Sequence, residues 1–265
     1  MLGLYDDLRH PLGRFFKDPA YRGVSLLAAR LAWKRRRHPG TTRLLGQSFH
    51  YTDAASLVSA ARDIIADGGY CFHAERPDPV IFDLGANIGI ASAWFLKTYP
   101  RARIIAFEPD LAAYSCLALN VAHGGTLIRC HQAAAWTSDG TLRFASDGAD
   151  GGQVADGGGL SVPARDIRPL VAAEPVIDLL KVDVEGSEYA LIDHLRAELP
   201  RIRNLALECH DVDRRPRDFA HLVSLLGESG FQLVINGSPP RRPLLNPAQG
   251  RQLILSATRV SPPPR

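Results

Sequence analysis

The strongest constraint on the fold is the stretch Val80-Ile81-Phe82-Asp83-Leu84-Gly85-Ala86-Asn87-Ile88-Gly89-Ile90. Three apolar residues lead to an acid, and two glycines follow with three residues between them. A short apolar run that meets glycine in this way reads as a buried parallel strand stopping at Asp83. Gly85 supplies the sharp turn, and Gly89 opens a helix expected from Ile90 to Tyr99. Such a strand–turn–helix offers backbone N–H groups at the helix start and lets a ligand approach main chain that carries no Cβ. In an α/β sheet that is where a nucleotide-like cofactor sits.

Spacing narrows the choice of cofactor. A dinucleotide fingerprint needs Gly-x-Gly-x-x-Gly and a P-loop ends in Gly-Lys-Ser/Thr, and this turn has neither. Asp83 at the mouth of the turn would repel a pyrophosphate and suit a cationic ligand. A second strand, 103–107, ends in Glu108-Pro109-Asp110. An acid about 20 residues beyond the glycine turn is placed to accept hydrogen bonds from ribose hydroxyls. Ribose, no phosphate and a positive centre together describe S-adenosyl-L-methionine. The plainer alternative is a glycine turn kept for packing, against which the distal acid at the right distance argues.

From Val80 onward strand and helix alternate, which predicts a parallel sheet with helices on both faces. After a helix over 111–122, a third strand, 126–130, places Gln132 and Ala133 where an adenine would lie. Residues 135–164 break the rhythm with short strands around a glycine-rich segment, 147–159, expected to be a mobile lid. A strand over 176–182 delivers Asp183, Gly186 permits a close turn, and Ser187 is expected to cap the next helix. Glu188 in its first turn is expected to serve the helix dipole. A strand over 204–207 ends in Glu208-Cys209-His210, and 231–235 with 252–255 are expected to close the sheet as an antiparallel pair.

Three motifs together carry a resemblance. Asp83-Leu84-Gly85-Ala86-Asn87-Ile88-Gly89, Phe107-Glu108-Pro109-Asp110 and Lys181-Val182-Asp183-Val184-Glu185-Gly186-Ser187-Glu188 are similar to the FkbM family of S-adenosylmethionine-dependent methyltransferases, over residues 48 to 256. The first motif alone indicates the broad superfamily, and the Asp-Val-Glu-Gly-Ser-Glu run is more specific to the family. The resemblance implies a Rossmann-like class I methyltransferase: a mostly parallel seven-stranded α/β sheet, helices on both faces, and an antiparallel last strand. It also implies O-methylation of a hydroxyl on a sugar, polyketide or related metabolite. On this reading Asp83, Gly85, Ala86, Asn87, Ile88, Gly89, Glu108, Pro109, Gln132, Ala133 and Asp183 line the cofactor site. The same resemblance makes Tyr51 or Tyr70 a pocket residue, with ordinary core packing as the alternative for each.

Methyl transfer to a hydroxyl benefits from a base near the attacking oxygen. His210 is the first choice, because an unperturbed imidazole of pKa ~6.5 is largely neutral at pH 7. Asp183 is the second, as base or as substrate anchor. A divalent metal is left open, with Asp183 and Glu208 as its ligands. Two other classes stay in view: a non-catalytic cofactor-binding scaffold, and a nucleic-acid methyltransferase. The latter lacks an Asn-Pro-Pro-Tyr-like tetrapeptide at the Asp183 strand end.

Composition bounds the rest. The chain of 265 residues, 46% hydrophobic and 22% charged, suits a soluble globular protein with a real core. A net charge of +3 does not indicate nucleic acid. Cys71, Cys116, Cys130 and Cys209 show no Cys-x-x-Cys pair, so reduced thiols and a cytoplasmic setting are expected. Nothing at the N-terminus resembles a signal peptide, and no apolar run reaches ~18 residues. Residues 1–47 are expected to be a helical extension and the start of a hairpin, 48–258 the methyltransferase domain, and 259–265 a flexible tail. The cluster Lys34-Arg35-Arg36-Arg37 reads as a solvated helix end, or as a weak membrane-surface contact. A homodimer is compatible with the chain.

Overall fold

Every residue of the first core strand is buried, because parallel strands are covered on both faces. A computed structural model gives the arrangement and describes residues 11–145, 153–154, 160–236 and 253–259. The described residues open with α1 (Pro11–Lys17) and α2 (Pro19–Leu31); the Asp18 carboxylate caps α2 by accepting the N–H groups of Ala20 and Tyr21. A hairpin of β1 (Gly40–Leu44) and β2 (Gln47–Tyr51) turns through Leu45 and Gly46, both at positive φ. Asp53 then caps α3 (Ala54–Ala61) through the Ser56 N–H.

The main sheet starts with β3 (Val80–Leu84), α4 (Ile90–Thr98), β4 (Arg103–Phe107), α5 (Leu111–Asn120) and β5 (Ile128–His131). The interruption is a second, four-stranded sheet of β6 (Ala134–Trp136), β7 (Gly140–Ala145), β8 (Gln153–Val154) and β9 (Leu160–Asp166), in the order β6-β9-β7-β8. The chain returns through α6 (Arg168–Ala172), β10 (Leu179–Val182), α7 (Glu188–His194), β11 (Asn204–Cys209), α8 (Pro216–Glu228), β12 (Phe231–Asn236) and β13 (Leu253–Arg259). The seven-stranded sheet has the order β12-β13-β11-β10-β3-β4-β5. Within this sheet the last strand, β13, runs against the direction of the other six, pairing antiparallel with β11 and β12. The order reverses between β3 and β10, so the crevice at their carboxyl ends is the switch point of the fold.

Strand alternation sends side chains into two cores. On one face Ile81, Ile104, Ala106 and Leu179 meet α3, α4 and α5, together with Phe49 of the hairpin and Val24, Leu27 and Leu31 of α2. On the other, Phe82, Leu84, Leu180, Val182, Leu205 and Leu207 meet α6, α7 and α8.

Three expectations change. The boundary between 47 and 48 falls inside β2, and the apolar side of α2 packs into the same core as the sheet. Arg259 is part of β13, its guanidinium donating to the carbonyls of Leu199, Ile202 and Ser229, so the boundary at 259 cuts a strand. Ser187 sits at the start of α7, but its side chain makes no capping bond. The segment 147–159, apart from β8, and residues 238–250 and 261–265 lie outside the described residues. No helix among the described residues is long and apolar enough to cross a membrane.

Candidate active site

Gly85 has φ +78 and a Cβ there would run into the Asp183 carbonyl, so the β3 turn and the β10 tip approach too closely for any side chain at 85. Asn87 and Gly89 are also left-handed, a conformation asparagine tolerates through its short polar side chain. All five N–H groups of the turn are already used. Those of Gly85 and Ala86 donate to the Phe107 carbonyl at 3.0 and 2.8 Å, that of Asn87 to Glu108 Oε2 at 2.8 Å, that of Ile88 to Asn87 Oδ1 at 2.6 Å, and that of Gly89 to the Ala86 carbonyl. The turn itself therefore leaves no N–H open, and the N–H groups of the helix start are those from Ile90 onward, behind an N-cap glycine that has no side chain to cap them.

Glu108 stands at the β4 tip, 6% exposed, with Oε2 on the Asn87 N–H and Oε1 on that of Asp110, both at 2.8 Å. Burial pushes its carboxyl up to about 7, against the pull of these two bonds. Each oxygen keeps a second lone pair for a further donor. Beside it, the His131 ring at the β5 end stacks on Phe107 at 4.5 Å; burial, then Arg165 and Arg129, lower its pKa. Ala133 is buried and Gln132 exposed. Asn120, 1% exposed, ties this end to the hairpin by donating to the carbonyls of His50 and Ile88 and accepting the His50 N–H.

Asp83 does not face a mouth. Its side chain is fully buried, with Oδ2 on the Ser92 hydroxyl at 2.7 Å and Oδ1 3.1 Å from Lys181 Nζ. Lys181 is opposite Asp83 in the β3–β10 register, 3% exposed, and also donates to the Gly85 carbonyl at 2.5 Å. Burial alone would lower its pKa, but Asp83 and Asp183 outweigh burial and raise it. The electrostatic reason for assigning a cationic ligand to Asp83 is thus corrected: Lys181 already balances that charge.

At the other end of the crevice, β10 and β11 present Asp183 and Glu208–His210. The Tyr70 hydroxyl reaches both acids, donating to Glu208 Oε2 at 2.9 Å and lying 3.3 Å from Asp183 Oδ2. Burial and the neighbouring Asp183 push the Glu208 carboxyl up to about 8. His210 Nδ1 is 2.6 Å from Glu188 Oε1, and Nε2 is 3.3 Å from Glu185 Oε2. Burial would lower the imidazole pKa, but the Glu188 hydrogen bond and the charges of Glu188, Glu185 and Asp183 push it up to about 10. The carboxylates around the ring favour the imidazolium over the neutral form expected at pH 7. Glu188 is fully buried, and its Oε1 both accepts the Gly186 N–H at 3.0 Å at the helix start and meets His210.

The backbone here is held by tertiary contacts. Glu185 and Asp211 are non-glycine residues at φ +53, and Arg215 donates to the Gly186 carbonyl at 2.7 Å. Such left-handed residues cost ~1–3 kcal/mol each and persist where surrounding structure imposes them. Asp183, Glu185 and His210 each offer one donor atom, all within 4.8 Å of one another. That set differs from the expected Asp183–Glu208 pair, since Glu208 is engaged by Tyr70. Of the two tyrosines, Tyr70 reaches the site, whereas Tyr51 is 2% exposed in the hairpin core. Sequence reasoning missed Lys181, Glu188 and Glu185 as site residues; the one signal was a lysine inside an otherwise apolar strand.

A family model, the Methyltransferase FkbM domain, matches residues 83–233. The 31-O-demethyl-FK506 methyltransferase FkbM of Streptomyces tacrolimicus is 27% identical over 234 residues, covering 73% of this chain and 89% of that one. The methyltransferase sdnD of Sordaria araneosa is 29% identical over 217 residues, 65% of this chain and 81% of that one. Among solved structures, PH0793 of Pyrococcus horikoshii aligns with a TM-score of 0.50 and 15% identity, over 91% of this chain and 83% of that chain. The sheet order and this likeness give the fold, that of class I methyltransferases.

Proposed function

Since the chain belongs to the FkbM methyltransferase family, we propose that it carries a methyl group from S-adenosyl-L-methionine to a hydroxyl oxygen of a sugar, polyketide or related small metabolite. The observation that carries the reading is the row of strand tips at the switch point: the Gly85 turn and Glu108 on one side, Asp183 and His210 on the other. Bound S-adenosyl-L-methionine supplies a methyl group activated by a sulfonium. Glu108 takes the ribose hydroxyls on its open lone pairs. Gly85, Ala86, Asn87, Ile88 and Gly89 form the floor, and Pro109, Gln132 and Ala133 flank the adenine. Asp83 supports that floor from beneath, through Ser92 and Lys181.

At the acceptor end Asp183, 26% exposed, takes the hydroxyl proton as the carbon–oxygen bond forms, a contribution of ~10²–10⁴-fold. His210 acts as a cationic donor. Its Nε2–H lies 3.3 Å from Glu185, longer than a tight charged hydrogen bond, so an acceptor oxygen can take that place. An oxygen acceptor is supported by the relative whose name specifies a 31-O-demethyl compound. A second reading rests on the three clustered donor atoms: a divalent cation held by Asp183, Glu185 and His210 would orient the acceptor hydroxyl. Methyl incorporation from labelled cofactor into sugar, polyketide and nucleic-acid pools, with and without added magnesium or manganese, tests both. Labelling of the nucleic-acid pool alone would overturn the acceptor class. Cofactor binding with no turnover on any pool would leave a non-catalytic scaffold.

A further inference from the structure

The outward side of the N-terminal helices takes no part in this chemistry, yet it exposes several large apolar side chains. α2 buries Val24, Leu27 and Leu31 at i, i+3, i+7 spacing and turns Leu26 and Arg30 the other way, with Trp33 exposed just past its end. Trp33 is 93% exposed and Leu26 58%. Phe16 at the end of α1 is 73% exposed and adjoins this stripe, because Arg22 Nη1 donates to its carbonyl at 3.3 Å. Leu12, one turn earlier, is also exposed. These four are among nine large apolar side chains left exposed by the described residues, so the exposure is concentrated here.

Charge is partitioned in the same way. Residues 11–37 hold eight lysines and arginines and one acid, Asp18, whereas the rest of the chain has 27 acids against 23 bases. The turn after α2 is also anchored. Arg36 Nε sits on both Asp53 oxygens at 3.0 and 2.9 Å, and the Arg37 N–H donates to the same carboxylate. Trp33, Lys34 and Arg35 are left exposed on the far side of that anchor. The anchor fixes Arg36 and the main chain at Arg37, and leaves Lys34 and Arg35 facing outward.

We propose that this face docks the protein on an anionic lipid surface. Phe16, Leu26 and Trp33 enter the boundary between headgroups and acyl chains, and Arg30, Lys34 and Arg35 meet the lipid phosphates. Tryptophan favours that boundary because its ring is apolar and its N–H polar. The apolar side chains stand singly between cations. A subunit interface would instead have a core depleted of charge. The proposal does not depend on which acceptor is methylated.

Flotation of the full chain with vesicles tests it. The protein should float with vesicles of phosphatidylglycerol and phosphatidylcholine in equal parts, stay behind with phosphatidylcholine alone, and be released by high salt. The Trp33 contribution to fluorescence should shift to the blue on binding. A Phe16→Ser/Trp33→Ser variant and a Lys34→Gln/Arg35→Gln variant should each bind roughly tenfold more weakly or worse, with melting and cofactor affinity unchanged. Absence of flotation by the unaltered chain would overturn the proposal, as would variants that float equally well. Sedimentation equilibrium supplies a further arm: self-association lost in both variants, without vesicle binding, would assign the face to a second copy of the chain and sink the lipid reading.

Discussion

At the β3–β4 end of the crevice, five consecutive turn N–H groups are closed within the protein. At the β10–β11 end, Glu185, Glu188 and Asp183 crowd around one imidazole. The first end is shaped by main chain, by the glycine at 85 and by Glu108 bonded on both oxygens. The second is shaped by charge, with Tyr70 and His210 separating carboxylates that would otherwise repel. The main-chain part of such a site is intolerant of a Cβ, and its response to pH rests on the one carboxyl of Glu108. A charge-built site depends on protonation and on each partner remaining in place. Lys181 is the joint between them, touching Asp83, the Gly85 carbonyl and Asp183 at once.

The largest effect should come from breaking that joint. Lys181→Met leaves two carboxylates beneath the turn uncompensated and should cost ~3–5 kcal/mol of stability, measured by urea unfolding. A loss below ~1 kcal/mol would mean that the two ends are not electrostatically coupled.

Next in size is His210→Ala, expected to cut turnover by ~10²-fold or more while cofactor affinity stays nearly unchanged. The pH dependence sharpens the contrast. The folded pKa of about 10 lies above the ordinary 6.5, so the stability His210 contributes is fully present below ~6.5 and is lost as pH rises through about 10. Turnover should fall over that upper limb, where the imidazolium loses its proton. A rate that rises there would make His210 the base and return Asp183 to positioning.

The cofactor end should respond more modestly. Glu108→Ala should weaken S-adenosyl-L-methionine binding by ~1–3 kcal/mol, the range for a lost charged hydrogen bond, as read by calorimetry. Affinity in the unaltered protein should decline as pH drops below about 7, since a protonated Glu108 has one acceptor fewer. Unchanged affinity in a folded variant would remove the ribose assignment. The smallest change is Glu188→Gln, which should lower the His210 pKa toward its ordinary value in an NMR titration; an unmoved pKa would show that Glu185 and Asp183 suffice.

Local sequence was sufficient for much of this molecule. The apolar run of Val80–Leu84, the spacing of Gly85 and Gly89 and the acid at 108 specified strand, turn, helix and second strand tip, because each depends on neighbours within a few turns of chain. The alternation of strands and helices also put Asp183 and His210 at strand carboxyl ends. What the sequence did not determine is who pairs with whom. Lys181 looked like an interruption in an apolar strand, yet its partner carbonyl is 96 residues away and is met only through the β3–β10 register. Glu188 looked like a dipole partner at a helix start, and only the packing of α7 on β11 turns it onto His210. The state of the imidazole followed from that packing, because a pKa is set by the charges and burial around a group, and those were assembled from segments far apart in the chain.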